Sequence, residues 1–361
     1  MAVYQIIIGI MAAFAVLGGL DRAFGSRLGL GQRFEEGLMA MGPLALAMIG
    51  VITLAPVLAA LLKPVVVPVY SFLGADPAMF AGTLLACDMG AGALARELTA
   101  DAGAAALGGV ITGSMLGATV VFTIPVALGI LAPEDRPALA RGVLCGIVTI
   151  PLGILAGGLT MGLPIRVVLS NLTPIVLLAA LISLGLWKAE RAMIRGFTLF
   201  GRAVTAVITL GLTAAIVREL TGVAIIAGMA PISDGFQTVG AVAIVLAGAF
   251  PLVSVLTRLL EKPLLALGRK LGIGKTAAAG LVATLANSIA TFGMLGQMDE
   301  RGKIVNVAFA VSAAFVLGDH LGFTAGFAPE LLPGLIVGKL TGGLCAVALA
   351  LVLTRGKRPR P

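Results

Sequence analysis

The chain has 361 residues, of which 59% are hydrophobic and only 12% are charged, and its mean hydropathy is +1.10. This balance excludes an ordinary soluble domain, in which about 25% of residues are charged. The formal net charge of +8 does not indicate a nucleic-acid-binding protein, because the basic residues form short clusters between apolar segments, where they orient a membrane protein. We therefore predict an all-α polytopic membrane protein with no nucleic-acid partner.

Apolar segments long enough to cross a hydrocarbon core of about 30 Å recur along the chain. The first segment has no basic residues ahead of it, so we expect a retained helix rather than a cleaved signal. About nine spans are predicted, at 3–20, 37–62, 103–131, 141–161, 165–187, 197–217, 236–260, 304–325 and 331–354. Two weaker segments, 78–96 and 276–298, are rich in small and polar residues.

The positions of lysine and arginine decide how the two weaker segments run. If both segments cross the membrane, the basic residues divide almost evenly between its two sides. If both are re-entrant, one side collects 19 basic residues and the other 4. Since basic residues concentrate in cytoplasmic loops, the sequence favours two re-entrant segments, with the N-terminus outside and the C-terminus in the cytoplasm.

The same topology suggests two inverted repeats. Residues 116–123, LGATVVFT, resemble residues 317–324, LGDHLGFT, and a Lys-Pro pair precedes each re-entrant segment. Inverted repeats with interrupted helices are typical of secondary transporters. The predicted division is 1–36, first helix and cytoplasmic loop; 37–161, first repeat; 162–235, connecting helices; 236–354, second repeat; and 355–361, basic cytoplasmic tail.

Asp88 is the most informative residue, because it is the only charge in residues 78–95. A carboxylate near the bilayer centre costs roughly 2.5–3.5 kcal/mol on insertion scales, so such a group usually serves a binding site or pathway. Re-entrant tips expose backbone polar groups and need a protein-lined or watery cavity. We therefore predict that Asp88 meets further polar residues of the two segments, namely Thr83, Thr284, Asn287 and Ser288. Helix packing is the alternative for the hydroxylated residues.

Asp319 and His320, the only histidine, form a second ionisable pair inside an apolar segment. The pair is predicted to bind a cation or transfer a proton, or else to brace the bundle, with Asp319 pairing to Lys339. Glu35 and Glu36 are expected at the start of a span, where the helix dipole accounts for them, with an inner gate as the alternative.

The three cysteines lack metal-ligand spacing, so neither a metal nor a cofactor is predicted. The excess of intramembrane acid indicates a cationic substrate. With only 5% aromatic residues, an aromatic cage for a quaternary ammonium is disfavoured, and a small primary ammonium fits better.

Several segments resemble the EutH family of ethanolamine-utilisation permeases over nearly the whole chain, namely FEEGLMAMGPLALAMIG (34–50), MFAGTLLACDMG (79–90), VFTIPVALGI (121–130), LVATLAN (281–287) and FAVSAAFVLGDHLGF (309–323). The resemblance implies a multi-pass protein of the bacterial inner membrane that imports ethanolamine and has no enzymatic activity. Where the family often reads ANNIPMFGM, this chain has ANSIATFGM at 286–294. We expect alternating access around the two re-entrant tips, with Asp88 binding the ammonium and Asn287, Ser288 or Thr284 binding the hydroxyl.

The sequence leaves other hypotheses open. One is a secondary transporter of another small amine or polar solute coupled to protons or sodium. A remote one is an intramembrane aspartyl protease that uses Asp88 and Asp319, although the Gly-x-Gly-Asp context of such enzymes is missing. A membrane docking or sensor protein is disfavoured because no soluble module is evident. The oligomeric state, a homo-oligomer included, is open.

Overall fold

The computed structural model describes residues 2–355, so the predicted basic tail lies, apart from Arg355, outside the described residues. Within that range the side chains of a few residues are also left undescribed: Glu190, Leu260, Glu261, Leu264, Leu265, Leu267 and Arg269. Residues 2–355 form helices and connecting turns without any β-strand, which confirms the all-α prediction.

Fifteen helices are numbered in chain order: α1 Val3–Ala23, α2 Leu30–Met39, α3 Met41–Phe72, α4 Met79–Leu84, α5 Ala91–Leu98, α6 Ala102–Ile130, α7 Arg136–Thr160, α8 Ile165–Ala189, α9 Arg191–Thr221, α10 Ile232–Leu271, α11 Lys275–Ala286, α12 Ser288–Met294, α13 Glu300–Ala313, α14 Asp319–Phe327 and α15 Leu332–Leu353. Much of α6 is wound as a π-helix, over Ala106–Gly117 and Thr119–Thr123. Helix α2 crosses the predicted boundary between residues 36 and 37.

Eight helical segments in the described part of the chain are long and apolar enough to cross a membrane. They correspond to eight of the nine predicted spans. The ninth, predicted at 304–325, is not one continuous helix, because α13 ends at Ala313 and α14 begins at Asp319. The protein is therefore a polytopic membrane protein in which one predicted span is interrupted.

The first weak segment forms a hairpin, here called the first hairpin, which consists of α4, a turn at 85–90 and α5. Its two flanks meet, because the hydroxyl of Thr99 donates to Asp76 Oδ2 over 2.9 Å. The turn closes on Gly90, whose φ of +93° lies in the left-handed region that glycine adopts without strain. The segment thus returns to the place where it began, as a re-entrant segment requires.

The second weak segment forms a corresponding hairpin, here called the second hairpin, from α11, Asn287 and α12. Its flanks also meet, since the Gly274 amide donates to Asp299 Oδ1 over 2.9 Å. Inside the hairpin the hydroxyls of Thr284 and Thr291 lie 2.8 Å apart, and Thr291 also donates to the Gly280 carbonyl. Each hairpin is thus held at its base by an aspartate that flanks it.

The two halves of the chain contain a similar order of elements: a long helix, a hairpin, a further helix and a final helix. The further helix is α6 in the first half and is broken into α13 and α14 in the second. The final helices, α7 and α15, pack against each other through glycines. Gly153 faces the Gly338 carbonyl, and Gly157 faces the Gly334 carbonyl. These pairs run in opposite directions along the two helices, so α7 and α15 are antiparallel, as two inverted repeats would require. The inverted repeat itself stays an interpretation of this order.

The break between α13 and α14 is stabilised by the second hairpin. The amide of Phe315 donates to the Thr284 carbonyl over 3.2 Å, and the amide of Leu317 donates to the Leu285 carbonyl over 2.8 Å. Phe315, within the break, has a φ of +63°, which is uncommon for a bulky residue. The apolar sequence there does not reveal the break, because the hairpin that satisfies its backbone groups is a tertiary contact.

Candidate functional site

A cavity of about 280 Å³, here called the central cavity, lies where the turn of the first hairpin faces the break between α13 and α14. The beginning of α3 and the middle of α6 complete its wall. Most of its lining is apolar, and its ionisable side chains are Asp88, Asp319 and His320. The lining residues are Ala40, Pro43, Leu44, Ala47, Ala86, Asp88, Met89, Ala118, Phe122, Phe315, Asp319 and His320.

Asp88 and His320 approach each other from the two halves of the chain. His320 Nε2 lies 3.6 Å from Asp88 Oδ1, a separation longer than an ordinary hydrogen bond. The His320 side chain is almost fully buried, while 18% of the Asp88 side chain is exposed. Within the described part of the chain, Asp88 Oδ1 and His320 Nδ1 have no hydrogen-bond partner. Buried polar atoms are rarely left unpaired, so Asp88 Oδ1, which lies in a cavity-lining residue, is a candidate contact for a polar ligand.

Asp319 lies between the central cavity and a second one, here called the adjacent cavity, of about 440 Å³. Asn287 of the second hairpin and Glu36 of α2 also line the adjacent cavity. The side chain of Asn287 caps α12, since its Oδ1 accepts from the Ile289 amide over 2.7 Å. Asp319 is therefore the ionisable group that both cavities share.

Two aromatic rings contribute to the wall of the central cavity. The rings of Phe122 and Phe315 meet edge to face with centroids 5.5 Å apart, and the Phe315 centroid lies 5.2 Å from that of His320. Aromatic faces attract cations. Sequence reasoning missed these two rings, because the low aromatic content of the whole chain does not show that they lie together. Both phenylalanines do fall in segments that carry the family resemblance, and this was the one indication in the sequence that they matter.

The predicted threonines are not part of the central cavity. Thr83 is buried and donates to the carbonyl of Phe80 in its own helix over 2.6 Å. Thr284 is fully buried and is bonded to Thr291 within the second hairpin. Ser288 is buried as well, and its hydroxyl has no partner within the described residues. The hydrogen bonds of Thr83 and Thr284 within their own hairpins agree with the helix-packing alternative for these two residues.

Glu35 and Glu36 lie in α2, near the start of the apolar segment Leu30–Phe72, as expected. They are beyond the first turn of α2, so the helix dipole does not account for them. Glu35 pairs with Arg22 at 3.2 Å, and Glu36 pairs with Arg33 at 2.6 Å. Both pairs are about half exposed. Glu36 lines the adjacent cavity, so a gate at this residue stays a prediction.

Lys339 is fully buried on α15, and its ammonium donates to the Ser114 carbonyl over 2.5 Å. The expected pairing with Asp319 does not occur among the described ion pairs. The ammonium instead lies close enough to Asp88 and Cys87 for the charges to interact. The Lys339 side chain therefore lies near the turn of the first hairpin.

The membrane-spanning helices, the two hairpins and a buried ionisable cavity together define a membrane transport protein. Over residues 3–353 the chain matches the family described as "Ethanolamine utilisation protein, EutH". It is 58% identical over 353 residues to the "Probable ethanolamine permease EutH" of Listeria monocytogenes, with 98% of this chain and 95% of the relative covered. It is 48% identical to the protein of the same name in Escherichia coli, with 98% and 96% covered.

A third relative, the "Uncharacterized protein YxeR" of Bacillus subtilis, is 50% identical, with 98% of this chain and 96% of the relative covered. The comparison with solved structures found no match. The chain belongs to the EutH family, and the prediction made from the segment resemblance is confirmed. Membership of a permease family decides against the intramembrane protease.

Proposed function

We propose that this protein imports ethanolamine across the bacterial inner membrane as the protonated ammonium alcohol. The observation that carries the proposal is the meeting of Asp88 and Asp319 in one largely apolar cavity. Buried carboxylates are costly unless a cation or hydrogen-bond donors compensate them. A primary ammonium supplies one positive charge and three donors. The relatives named probable ethanolamine permeases support this substrate.

In this proposal Asp88 accepts the ammonium through Oδ1, the atom that lacks a partner. His320 Nδ1, which is likewise unpartnered, binds the hydroxyl. The faces of Phe122 and Phe315 stabilise the cation and exclude water. Asn287 was expected to bind the hydroxyl, and its position in the adjacent cavity suggests a later contact instead.

The route we propose is alternating access around Asp319. The substrate reaches the central cavity from outside, and Asp319 then passes the ammonium toward the adjacent cavity, which extends to the charged residues of α2. The distribution of basic residues supports a cytoplasmic location for those residues, with the N-terminus outside. The antiparallel packing of α7 and α15 is consistent with two repeats that exchange roles.

One variant of this function is proton-coupled transport, since a carboxylate and an imidazole that meet in one cavity can serve as a proton relay. Import driven only by the ethanolamine gradient is the simpler form. The two differ in one measurement. If transport is proton-coupled, an imposed pH gradient drives ethanolamine above its equilibrium concentration in proteoliposomes. If it is not coupled, the concentrations only equalise.

The proposal is tested by uptake of labelled ethanolamine into proteoliposomes that contain wild type, Asp88→Asn or Glu97→Gln. Glu97 is an exposed acid on α5 of the same hairpin, so its substitution removes the same charge outside the cavity. We expect wild type and Glu97→Gln to transport, and Asp88→Asn to lose at least about tenfold in uptake, because a hydrogen bond to a charged group contributes about 1.5–3 kcal/mol. No uptake by wild type would reject the function, and full uptake by Asp88→Asn would reject the site.

A further inference from the structure

Cys87 adds a third kind of ligand atom to the pair formed by Asp88 and His320. One ligand atom from each of the three residues, the thiol sulfur, a carboxylate oxygen and an imidazole nitrogen, lies within 4.8 Å of the others. Cys87 and Asp88 are consecutive in the tight turn of the first hairpin, and His320 comes from the first turn of α14. His320 is far from the other two residues in the chain, so spacing in the sequence could not predict this cluster.

Sulfur, imidazole nitrogen and carboxylate oxygen are the donors that Zn²⁺ uses in proteins, at about 2.0–2.3 Å. Tetrahedral coordination at those lengths places neighbouring donors roughly 3.3–3.8 Å apart. The separation of His320 and Asp88, 3.6 Å, already lies in that range. The ligand atoms of all three residues lie within 4.8 Å of one another, so coordination requires only a small approach of the thiol sulfur. Three protein donors would leave a fourth position for water.

Two further observations point to a ligand here. Asp88 Oδ1 and His320 Nδ1 are buried and have no hydrogen-bond partner among the residues described. Cys87 is fully buried and free of disulfides, so its thiol is available as a donor without being exposed to bulk solvent. The thiolate and the imidazole are soft and borderline donors, which Mg²⁺ and Ca²⁺ do not prefer, and only the carboxylate is a hard donor.

The surrounding charges act in opposite directions. Lys339 lies near Cys87 and Asp88, so its ammonium form opposes a bound cation. Asp319, which lines the same cavity, contributes a second carboxylate. Coordination releases the thiol proton to solvent and uses the neutral imidazole. The metal and the two deprotonated ligands therefore leave little net charge in the cavity.

We propose that Cys87, Asp88 and His320 form a binding site for a borderline divalent cation such as Zn²⁺. The cation occupies the carboxylate that the ammonium substrate needs, so it blocks transport by competition. The binding part of the proposal stands on the cluster alone, and the competition part rests on the proposed function.

Binding is tested on the purified full-length protein by calorimetric titration with Zn²⁺, with Mg²⁺ as the comparison ion. Cys87→Ser is compared with Cys145→Ser, because Cys145 is also buried and free but lies on α7 outside the cluster. We expect one Zn²⁺ per chain, bound at least about tenfold more weakly by Cys87→Ser, since even ligands beyond the coordination shell alter metal affinity by about 10–100-fold. Cys145→Ser should bind as wild type does.

A Co²⁺ titration gives an independent signature. Cobalt bound by a thiolate produces a sulfur-to-metal charge-transfer absorption, which Cys87→Ser should lack and Cys145→Ser should retain. Equal Zn²⁺ affinity in wild type and Cys87→Ser, or the absence of binding by wild type, would overturn the proposal. Loss of the absorption in both variants would indicate a fold defect common to cysteine substitution and would likewise count against this assignment.

Uptake separates this proposal from the proposed function. We expect Zn²⁺ to raise the apparent KM for ethanolamine in wild type, and the ratio of uptake with and without Zn²⁺ to approach one in Cys87→Ser. If the protein binds Zn²⁺ but transports no ethanolamine, the metal site stands and the transport function fails. If ethanolamine enters and Zn²⁺ neither binds nor inhibits, the metal site fails and the transport function stands.

Discussion

Gly117 of α6 is one of the positions where the structure leaves least room for any side chain. A Cβ at this position would lie 1.9 Å from the carbonyl oxygen of Leu85 and 2.9 Å from that of Gly82. Ordinary van der Waals contact begins at 3.4 Å, so the Leu85 carbonyl would have to withdraw by about 1.5 Å. Both obstructing atoms belong to the backbone of the first hairpin, and no side-chain rotation can relieve the overlap.

The displacement is transmitted directly to the central cavity, because Leu85 precedes Asp88 by three residues in the same turn. Overpacking of this kind costs about 1–3 kcal/mol in stability. A shift of about 1.5 Å would also break a hydrogen bond between Asp88 and an ammonium, which contributes about 1.5–3 kcal/mol. We therefore expect Gly117→Ala to lower the melting temperature and to reduce ethanolamine uptake at low concentration by at least about tenfold.

The assay measures two quantities on the same preparations: the fraction of detergent-purified protein that stays monodisperse after heating, and uptake by proteoliposomes. Gly240→Ala is the matched control, because Gly240 is also in a helix interior but has no atom within 4 Å of an added Cβ. Alanine is the better helix former by about 1 kcal/mol, so this control should be neutral or slightly stabilised. If Gly117→Ala behaved like Gly240→Ala in both measurements, the close approach of α6 and the first hairpin would be refuted.

Three further predictions follow from other parts of the molecule. Asp135→Asn breaks the largely buried ion pair with Lys303 of α13 and should lower the free energy of unfolding by about 3–5 kcal/mol, measured by thermal unfolding. Arg141→Gln removes the half-exposed ion pair with Glu300 of the same helix and should lower it by less than about 1 kcal/mol. Equal losses would contradict the difference in burial. Phe122→Leu should raise the KM for ethanolamine about 2- to 30-fold with little change in maximal rate, since a cation–π contact contributes about 0.5–2 kcal/mol; an unchanged KM would remove the ring from the site. Single cysteines at Asp76 and Thr99, in a chain without its native cysteines, should both react with an impermeant thiol reagent added outside, and labelling from opposite sides would refute the first hairpin.

The two hairpins could be predicted from the sequence because the sidedness of the basic residues along the whole chain depends on how the two weak segments run. The distribution of basic residues is even if the weak segments cross the membrane and strongly biased if they return. The contacts of Thr99 with Asp76 and of Gly274 with Asp299 agree with segments that return to the side from which they entered. Asp88 was identifiable because a lone carboxylate in an apolar segment has a large free-energy cost, which is visible without any structure.

The break between α13 and α14 and the composition of the cavity wall could not be predicted in the same way. The break depends on carbonyls of the second hairpin that accept from Phe315 and Leu317, and such tertiary partners leave no local pattern. Thr83 and Thr284 have the residue type expected of a polar tip, but their hydroxyls are satisfied within the hairpins. Residue type alone does not distinguish a hydroxyl that packs a helix from one that faces a ligand.

The central claim is that the cavity between the first hairpin and the broken helix binds protonated ethanolamine through Asp88. Equilibrium binding of labelled ethanolamine to purified protein in detergent tests it most directly, because it requires neither correct insertion nor a complete transport cycle. The account predicts saturable binding by wild type and by Glu97→Gln, with one site per chain, and loss of that binding in Asp88→Asn. Undiminished saturable binding by Asp88→Asn would contradict it.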